Sequence, residues 1–123
     1  MEKIPFKDKH FDLVYSIDAI HHFSNDCPND DNSVIKTSIK EMLRVMKDDG
    51  RLVIIEIDPS YFSGKVIRFL ENNVMGWHST FLKPAELNVL IPKDFVMTYG
   101  RERYYYIAEI TKKYKADTSN KKR

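Results

Sequence analysis

Apolar and polar positions alternate along the chain in blocks that predict strands and helices in turn. The run Phe11 to Ile17, FDLVYSI, is mostly apolar and rich in β-favouring side chains rather than alternating, and it predicts a parallel strand covered on both faces. Residues 25–32, NDCPNDDN, are polar and contain a proline, which predicts a loop. Ile35, Ile39, Met42, Leu43 and Met46 then fall on one stripe of a helix. Asn32 or Ser33 is expected to cap it, and it should stop near Lys47, where Asp48, Asp49 and Gly50 supply a turn. A second strand, Arg51 to Ile57, RLVIIEI, holds four consecutive apolar residues and belongs in the middle of a sheet. Strand, helix and strand make a βαβ unit, so the two strands should lie parallel.

Downstream, Val66, Ile67, Leu70 and Val74 sit at helical spacing after a potential cap at Ser63, with Gly76 past the end. A shorter helix is expected from Pro84, a residue suited to the first helical position, through Leu87 and Leu90. DFVMTYG and RYYYIAEITKK are two β-favouring runs joined around Gly100, Arg101 and Glu102, and they predict an antiparallel hairpin closing the sheet edge. Because neighbouring strand residues point to opposite faces, one or two of Tyr104, Tyr105 and Tyr106 should enter the core.

The length of 123 residues suits one domain, and 42% hydrophobic with 31% charged residues suits a folded chain rather than a disordered one. No apolar run approaches the roughly 20 residues of a membrane span, and MEKIPFKDKH lacks a signal-peptide pattern, so a cytoplasmic location is expected. Cys27 is the single cysteine, which excludes an intrachain disulfide and a CxxC pair. The net charge of +2 is uneven. Residues 111–123 carry six basic side chains against Asp117, leaving 14 basic and 17 acidic on the rest. That balance is not the footprint of a nucleic-acid-binding domain, and the Lys-rich end has no interleaved stacking aromatics. Residues 1–113 are therefore expected to form the domain and 114–123 a basic flexible tail.

In open parallel sheets, ligands bind beyond the carboxyl ends of the strands. One such end delivers Ser16, Ile17 and Asp18 and then AIHHF; the other delivers Glu56, Ile57, Asp58 and Pro59. His21 and His22 suggest either a general base or a metal site. Adjacent helical positions point about 100° apart, however, so a shared ion would need His10 or His78 as well, and no metal is expected. The acidic loop around Asp26, Asp30 and Asp31 lacks the central glycine and closing glutamate of a calcium loop. Trp77 and His78 could form part of a substrate lid or simply pack.

Two segments in order, EKIPFKDKHFDLVYSIDAIHHF and IKEMLRVMKDDGRLVIIEIDP, resemble the motif blocks entering the fourth and fifth strands of class I S-adenosylmethionine-dependent methyltransferases, in particular the type 11 and ubiquinone/menaquinone methyltransferase-like group. Lys47, Asp48, Asp49 and Gly50 depart from that family's "K-P-G-G" turn. The resemblance implies an α/β fold: a partial Rossmann-like sheet of parallel strands with covering helices and a C-terminal antiparallel hairpin. It implies S-adenosylmethionine as cofactor, a small-molecule acceptor, and cofactor contacts from Glu2 and from the backbone of Ser16, Ile17 and Asp18. His21 or His22 would be the general base where the acceptor must lose a proton; the alternative is that one packs and the other is solvated. Further, it implies that the family's first three strands and glycine-rich loop lie upstream of anything in this sequence. The chain is thus expected to be a C-terminal half with little activity alone, and its uncovered sheet edge offers a second reading as a non-catalytic partner of another chain.

Overall fold

The computed structural model describes residues 3–20, 32–59, 62–74 and 81–113. Residues 114–123, Glu2, the histidine pair, the acidic loop, Gly76, Trp77 and His78 lie outside the described residues. The elements, in chain order, are β1 (Phe11–Ile17), α1 (Ser33–Arg44), β2 (Met46–Ile57), α2 (Phe62–Phe69) with a π-helical turn at Leu70–Val74, α3 (Pro84–Val89), β3 (Phe95–Glu102) and β4 (Tyr105–Lys112). The strands form one sheet in the order β1-β2-β4-β3. β1 runs parallel to β2, with Val14 opposite Leu52 and Ile17 opposite Ile55, as expected of a βαβ unit. β4 inserts antiparallel between β2 and β3, so the terminal hairpin does close one side of the sheet.

One sheet face is the core. Ile35, Ile39, Met42 and Leu43 of α1 pack with Leu52, Ile54, Tyr106, Ala108 and Ile110 from the strands and with Leu82 and Leu87 around α3. The predicted stripe is therefore the buried one, although Met46 reaches the core from β2 rather than from the helix. The other face is only partly covered: Leu13, Tyr15 and Ile17 of β1 are 50, 64 and 56% exposed. This corrects the expectation of a first strand covered on both faces, since its apolar side chains alternate between the core and an open surface.

The helix ends earlier, and the second strand begins earlier, than the sequence pattern suggests. Lys47 to Gly50 are strand residues, and the register jumps from Phe11–Met46 to Leu13–Arg51, so the polar DDG stretch is absorbed as an irregularity beside β1. Gly50 allows this because a Cβ there would lie 2.8 Å from the Asp12 carbonyl oxygen and 3.1 Å from that of Lys47. Asn32 does occupy the N-cap of α1, but in the left-handed region at φ 74° and without a side-chain capping bond. Ser63 lies inside α2 instead of capping it, whereas Pro84 opens α3 as predicted. There Glu86 Oε1 accepts the Lys83 backbone N–H at 2.8 Å, satisfying one orphan donor of the first turn. The hairpin turn is at Arg103 and Tyr104, not around Gly100 to Glu102, which pair within β3. Arg103 takes the positive φ of 57° that the turn requires.

The segment before β1 is clamped to the end of α1. Arg44 bonds Glu41 Oε1 at 2.6 Å, Asp8 Oδ1 at 2.7 Å and the Ile4 carbonyl at 2.9 Å, and Glu41 accepts the Ile4 N–H at 2.9 Å. The Arg44 hydrogen bond, with help from the Ile4 N–H, lowers the Glu41 carboxyl to about 2. A carboxyl held below its unfolded value of 4.5 contributes stability that is complete above that pH and is lost as the pH falls toward 2. Glu41→Gln should therefore have a lower urea midpoint than the parent at pH 6. The gap should narrow steadily between pH 4.5 and 2; a gap independent of pH would rule out this clamp.

Candidate functional site

The carboxyl ends of β1 and β2 lie side by side, and the turn that follows β1 is built against β2. The Asp18 N–H continues the ladder to the Ile55 carbonyl at 2.8 Å. Asp18 itself is at φ 52°, a left-handed conformation that aspartate tolerates better than most residues, and the chain turns sharply there. The next two N–H groups, of Ala19 and Ile20, both donate to Glu56 Oε2, at 3.0 and 2.8 Å. Glu56 is 3% exposed, so a buried carboxylate of one strand holds the turn leaving its neighbour.

Two residues on, Asp58 is fully buried. Its Oδ2 accepts Arg101 Nε of β3 at 2.9 Å, and its N–H donates to the Tyr104 carbonyl at 2.7 Å. These two contacts dock the hairpin turn onto the end of β2. The Arg101 guanidinium also lies 5.5 Å from the centre of the Tyr99 ring. Tyr104 and Tyr105 meet edge to face at 5.7 Å.

The result is an open groove of about 520 Å³ lined by Ile17 and Asp18 of the first tip, Ile55, Glu56 and Ile57 of the second, Ile67 of α2, and Tyr104, Tyr105 and Ile107 of the hairpin. Its walls are isoleucine and tyrosine, with the exposed Asp18 at the tip of β1, whereas the Glu56 side chain is buried on the core face opposite Tyr106. Such a lining favours a ligand with an apolar or aromatic body and a cationic or hydrogen-bond-donating edge. Among the described residues, no three His, Cys, Asp or Glu side chains gather as metal ligands, and no helix is long and apolar enough to cross a membrane.

Of the residues singled out from sequence, Ile17 and Asp18 are brought together with Glu56 and Ile57 in this groove. The Ser16 side chain is not: strand alternation turns it to the core, where its Oγ is buried with no hydrogen-bond partner among the described residues. Glu2, His21 and His22 fall outside the described residues. Tyr104 and Tyr105, which the sequence pattern leaves as candidates for packing, line the groove because the turn falls at Arg103 and Tyr104, at the start of the tyrosine run.

A model of the family described as "Methyltransferase domain" matches residues 1–54, the part containing α1, β1 and most of β2. A protein of Encephalitozoon cuniculi named as a methyltransferase is 40% identical over 52 residues, 42% of this chain and 22% of its own. An uncharacterized methyltransferase of Bacillus subtilis is 33% identical over 55 residues, 45% of this chain and 18% of its own. The chain thus spans less than a quarter of the length of these curated relatives. Among solved structures, a S-adenosylmethionine-dependent methyltransferase of Thermotoga maritima, named as a possible histamine N-methyltransferase, superposes with a TM-score of 0.68 at 21% identity, over 90% of this chain and 60% of that one. The PH0226 protein of Pyrococcus horikoshii gives 0.63 at 20% identity, over 90% and 58%. The chain thus resembles the methyltransferase domain family by sequence over residues 1–54, and over nine tenths of its length it shares the fold of a solved S-adenosylmethionine-dependent methyltransferase.

Proposed function

We propose that the chain serves S-adenosylmethionine-dependent methyl transfer to a small-molecule acceptor. The observation that carries this reading is the shared groove at the tips of two parallel neighbours, with Ile17 and Asp18 from one and Glu56 and Ile57 from the other. The lining suits the cofactor in kind, for apolar walls accept an adenosyl body while the Asp18 carboxylate would favour a sulfonium cation or hydroxyl donors. S-adenosylmethionine supplies a methyl group on a positively charged sulfur. Ile17 and Asp18 would hold it in place, and alignment of donor and acceptor would supply most of the catalysis. Glu2 and the backbone of Ser16 are further proposed cofactor contacts. His21 or His22 is the proposed base for an acceptor that has to lose a proton.

The exposed edge of β1 favours a second reading for the same chain. Leu13, Tyr15 and Ile17 present an apolar stripe on a strand whose outer edge pairs with no other strand among the described residues, a surface suited to a further strand from another polypeptide. On this reading the chain alone binds S-adenosylmethionine weakly, with a Kd of about 1 mM.

Titrating the isotope-labelled chain with S-adenosylmethionine tests both. Amide shifts that saturate at Ile17, Asp18, Glu56 and Ile57 are expected; shifts absent there at several times that concentration would overturn the methyl-transfer reading. Micromolar affinity would instead overturn the idea that a second polypeptide completes the site.

A further inference from the structure

On the far side of the same strand exit lies a second recess, of different character. Past the tip of β2, an open hollow of about 590 Å³ is lined by Pro59, Lys65, Arg68, Phe69, Asn72, Asn73 and Lys83. It adjoins another of about 440 Å³ that shares Pro59, Arg68, Asn72 and Lys83, so the two form one cleft. Three cations from two separate elements, α2 and the residue before α3, converge here. The first hollow has no carboxylate among its described lining residues. Glu86 lines the adjoining part, where its Oε1 is engaged by the Lys83 N–H.

Like charges gathered around a concave space raise the local positive potential, and low-dielectric walls focus it. The backbone adds a second indication. Immediately after α2 the helix widens into a π-helical turn at Leu70–Val74, an uncommon conformation that is frequently found at functional sites. That turn carries Asn72 and Asn73, the two amide side chains of the cleft, and Asn73 Nδ2 is oriented by a 3.1 Å bond to the Phe69 carbonyl. The cleft and the groove are also physically linked: α2 lines the groove with Ile67 and the cleft with Lys65 and Arg68. Along the chain, Ile57 of the groove is two residues from Pro59 of the cleft.

We propose that this cleft binds an anionic group, phosphoryl or carboxylate, of the methyl acceptor, so that the acceptor is an acidic small molecule rather than a cationic amine. The proposal rests on the methyl-transfer reading only for the word acceptor, because the anion site stands on its own lining. Lys65, Arg68 and Lys83 neutralise the group, and Asn72 and Asn73 offer it amide N–H donors.

The test follows amide shifts of the full labelled chain during titration with inorganic phosphate and, separately, with succinate, at constant ionic strength set with chloride. Saturating shifts at Lys65, Arg68, Asn72, Asn73 and Lys83 are expected with at least one of the two, and the tighter ligand identifies the group. Arg68→Gln and Lys83→Gln should each weaken binding about two- to fivefold, the range for a single exposed charge contact. Arg68 is exposed and Gln is a comparable helix former, so the fold should be kept. Lys112→Gln, whose ammonium pairs instead with Asp48 at 3.1 Å, should leave the affinity unchanged. Shifts spread evenly over Lys9, Lys47 and Lys112, or failure to saturate with either anion, would overturn the proposal. Since S-adenosylmethionine is absent from these titrations, a negative result here leaves the cofactor experiment to judge the methyl-transfer reading by itself.

Discussion

Tyr106→Ala should be the most damaging single substitution in the sheet, with a cost of about 3–5 kcal/mol, the usual range for removing a buried aromatic ring. Tyr106 is completely buried on β4, opposite Glu56 of β2 on one side and Arg101 of β3 on the other, at the centre of the core face. Its hydroxyl donates to the Leu82 carbonyl at 2.8 Å, which ties the segment leading into α3 to the sheet. Burial first, and then the nearby carboxylates of Glu56, Asp58 and Glu86, push the phenol well above its ordinary value, so it remains a protonated donor across the working pH range. Alanine would therefore remove a ring and a tether together. Tyr106→Phe separates the two, keeping the ring and stranding one buried carbonyl at a cost of about 1–2 kcal/mol. Urea denaturation followed by circular dichroism checks both. Against a total stability of about 5–15 kcal/mol for a domain, the loss in the alanine variant would remove from about a fifth to all of what holds the fold together. If alanine cost no more than phenylalanine, the ring would not be the core element described here.

The two parallel strands and the helix between them were legible because local pattern and tertiary role agree there. Apolar residues of α1 at helical spacing meet an apolar sheet face, and each stretch predicts the same structure on its own. The start of β2 and the hairpin turn were not legible, and for related reasons. Asp48, Asp49 and Gly50 have strong turn chemistry, but Gly50 is needed for close approach to the Asp12 carbonyl, so the glycine that looked like a helix stop allows an early strand. Gly100 likewise drew the predicted turn to itself. The actual turn is fixed by the register that sends Tyr106, Ala108 and Ile110 to the core against Ile54 and Leu52, a long-range requirement that local turn residues do not encode. The site shows the same division. Ile17 and Asp18 follow from knowing where a parallel strand ends, whereas Tyr104 and Tyr105 enter the groove only through the correct hairpin register. Ser16 differs from both, since strand alternation turns its side chain inward and leaves only its backbone toward the strand tip.

Glu56→Ala should cost about 2–3 kcal/mol, because charge-assisted hydrogen bonds contribute more than neutral ones and their loss strands the donors. Ala19 and Ile20 would each keep an N–H that has lost its partner in a region where Ile20 is 1% exposed and water cannot readily substitute. The loss falls on the turn rather than on the strand. Asp18 would keep its ladder bond to Ile55, but its left-handed conformation, unfavourable in isolation, is held from the far side by those two bonds to Glu56. The urea midpoint should fall by about 1–2 M at unchanged slope. Glu56→Gln retains an acceptor oxygen of the same reach and should recover more than half of that loss, since two N–H donors can share one carbonyl oxygen with its two lone pairs. The pair of variants also separates fold from function. If the carboxylate served only to hold the turn, the glutamine form would bind S-adenosylmethionine as the parent does. If its charge also favoured the sulfonium, the glutamine form would be nearly as stable as the parent yet bind several-fold more weakly; the first outcome is expected, because the Glu56 side chain is buried on the core face with Tyr106, away from the face that carries Ile55, Ile57 and Ile107.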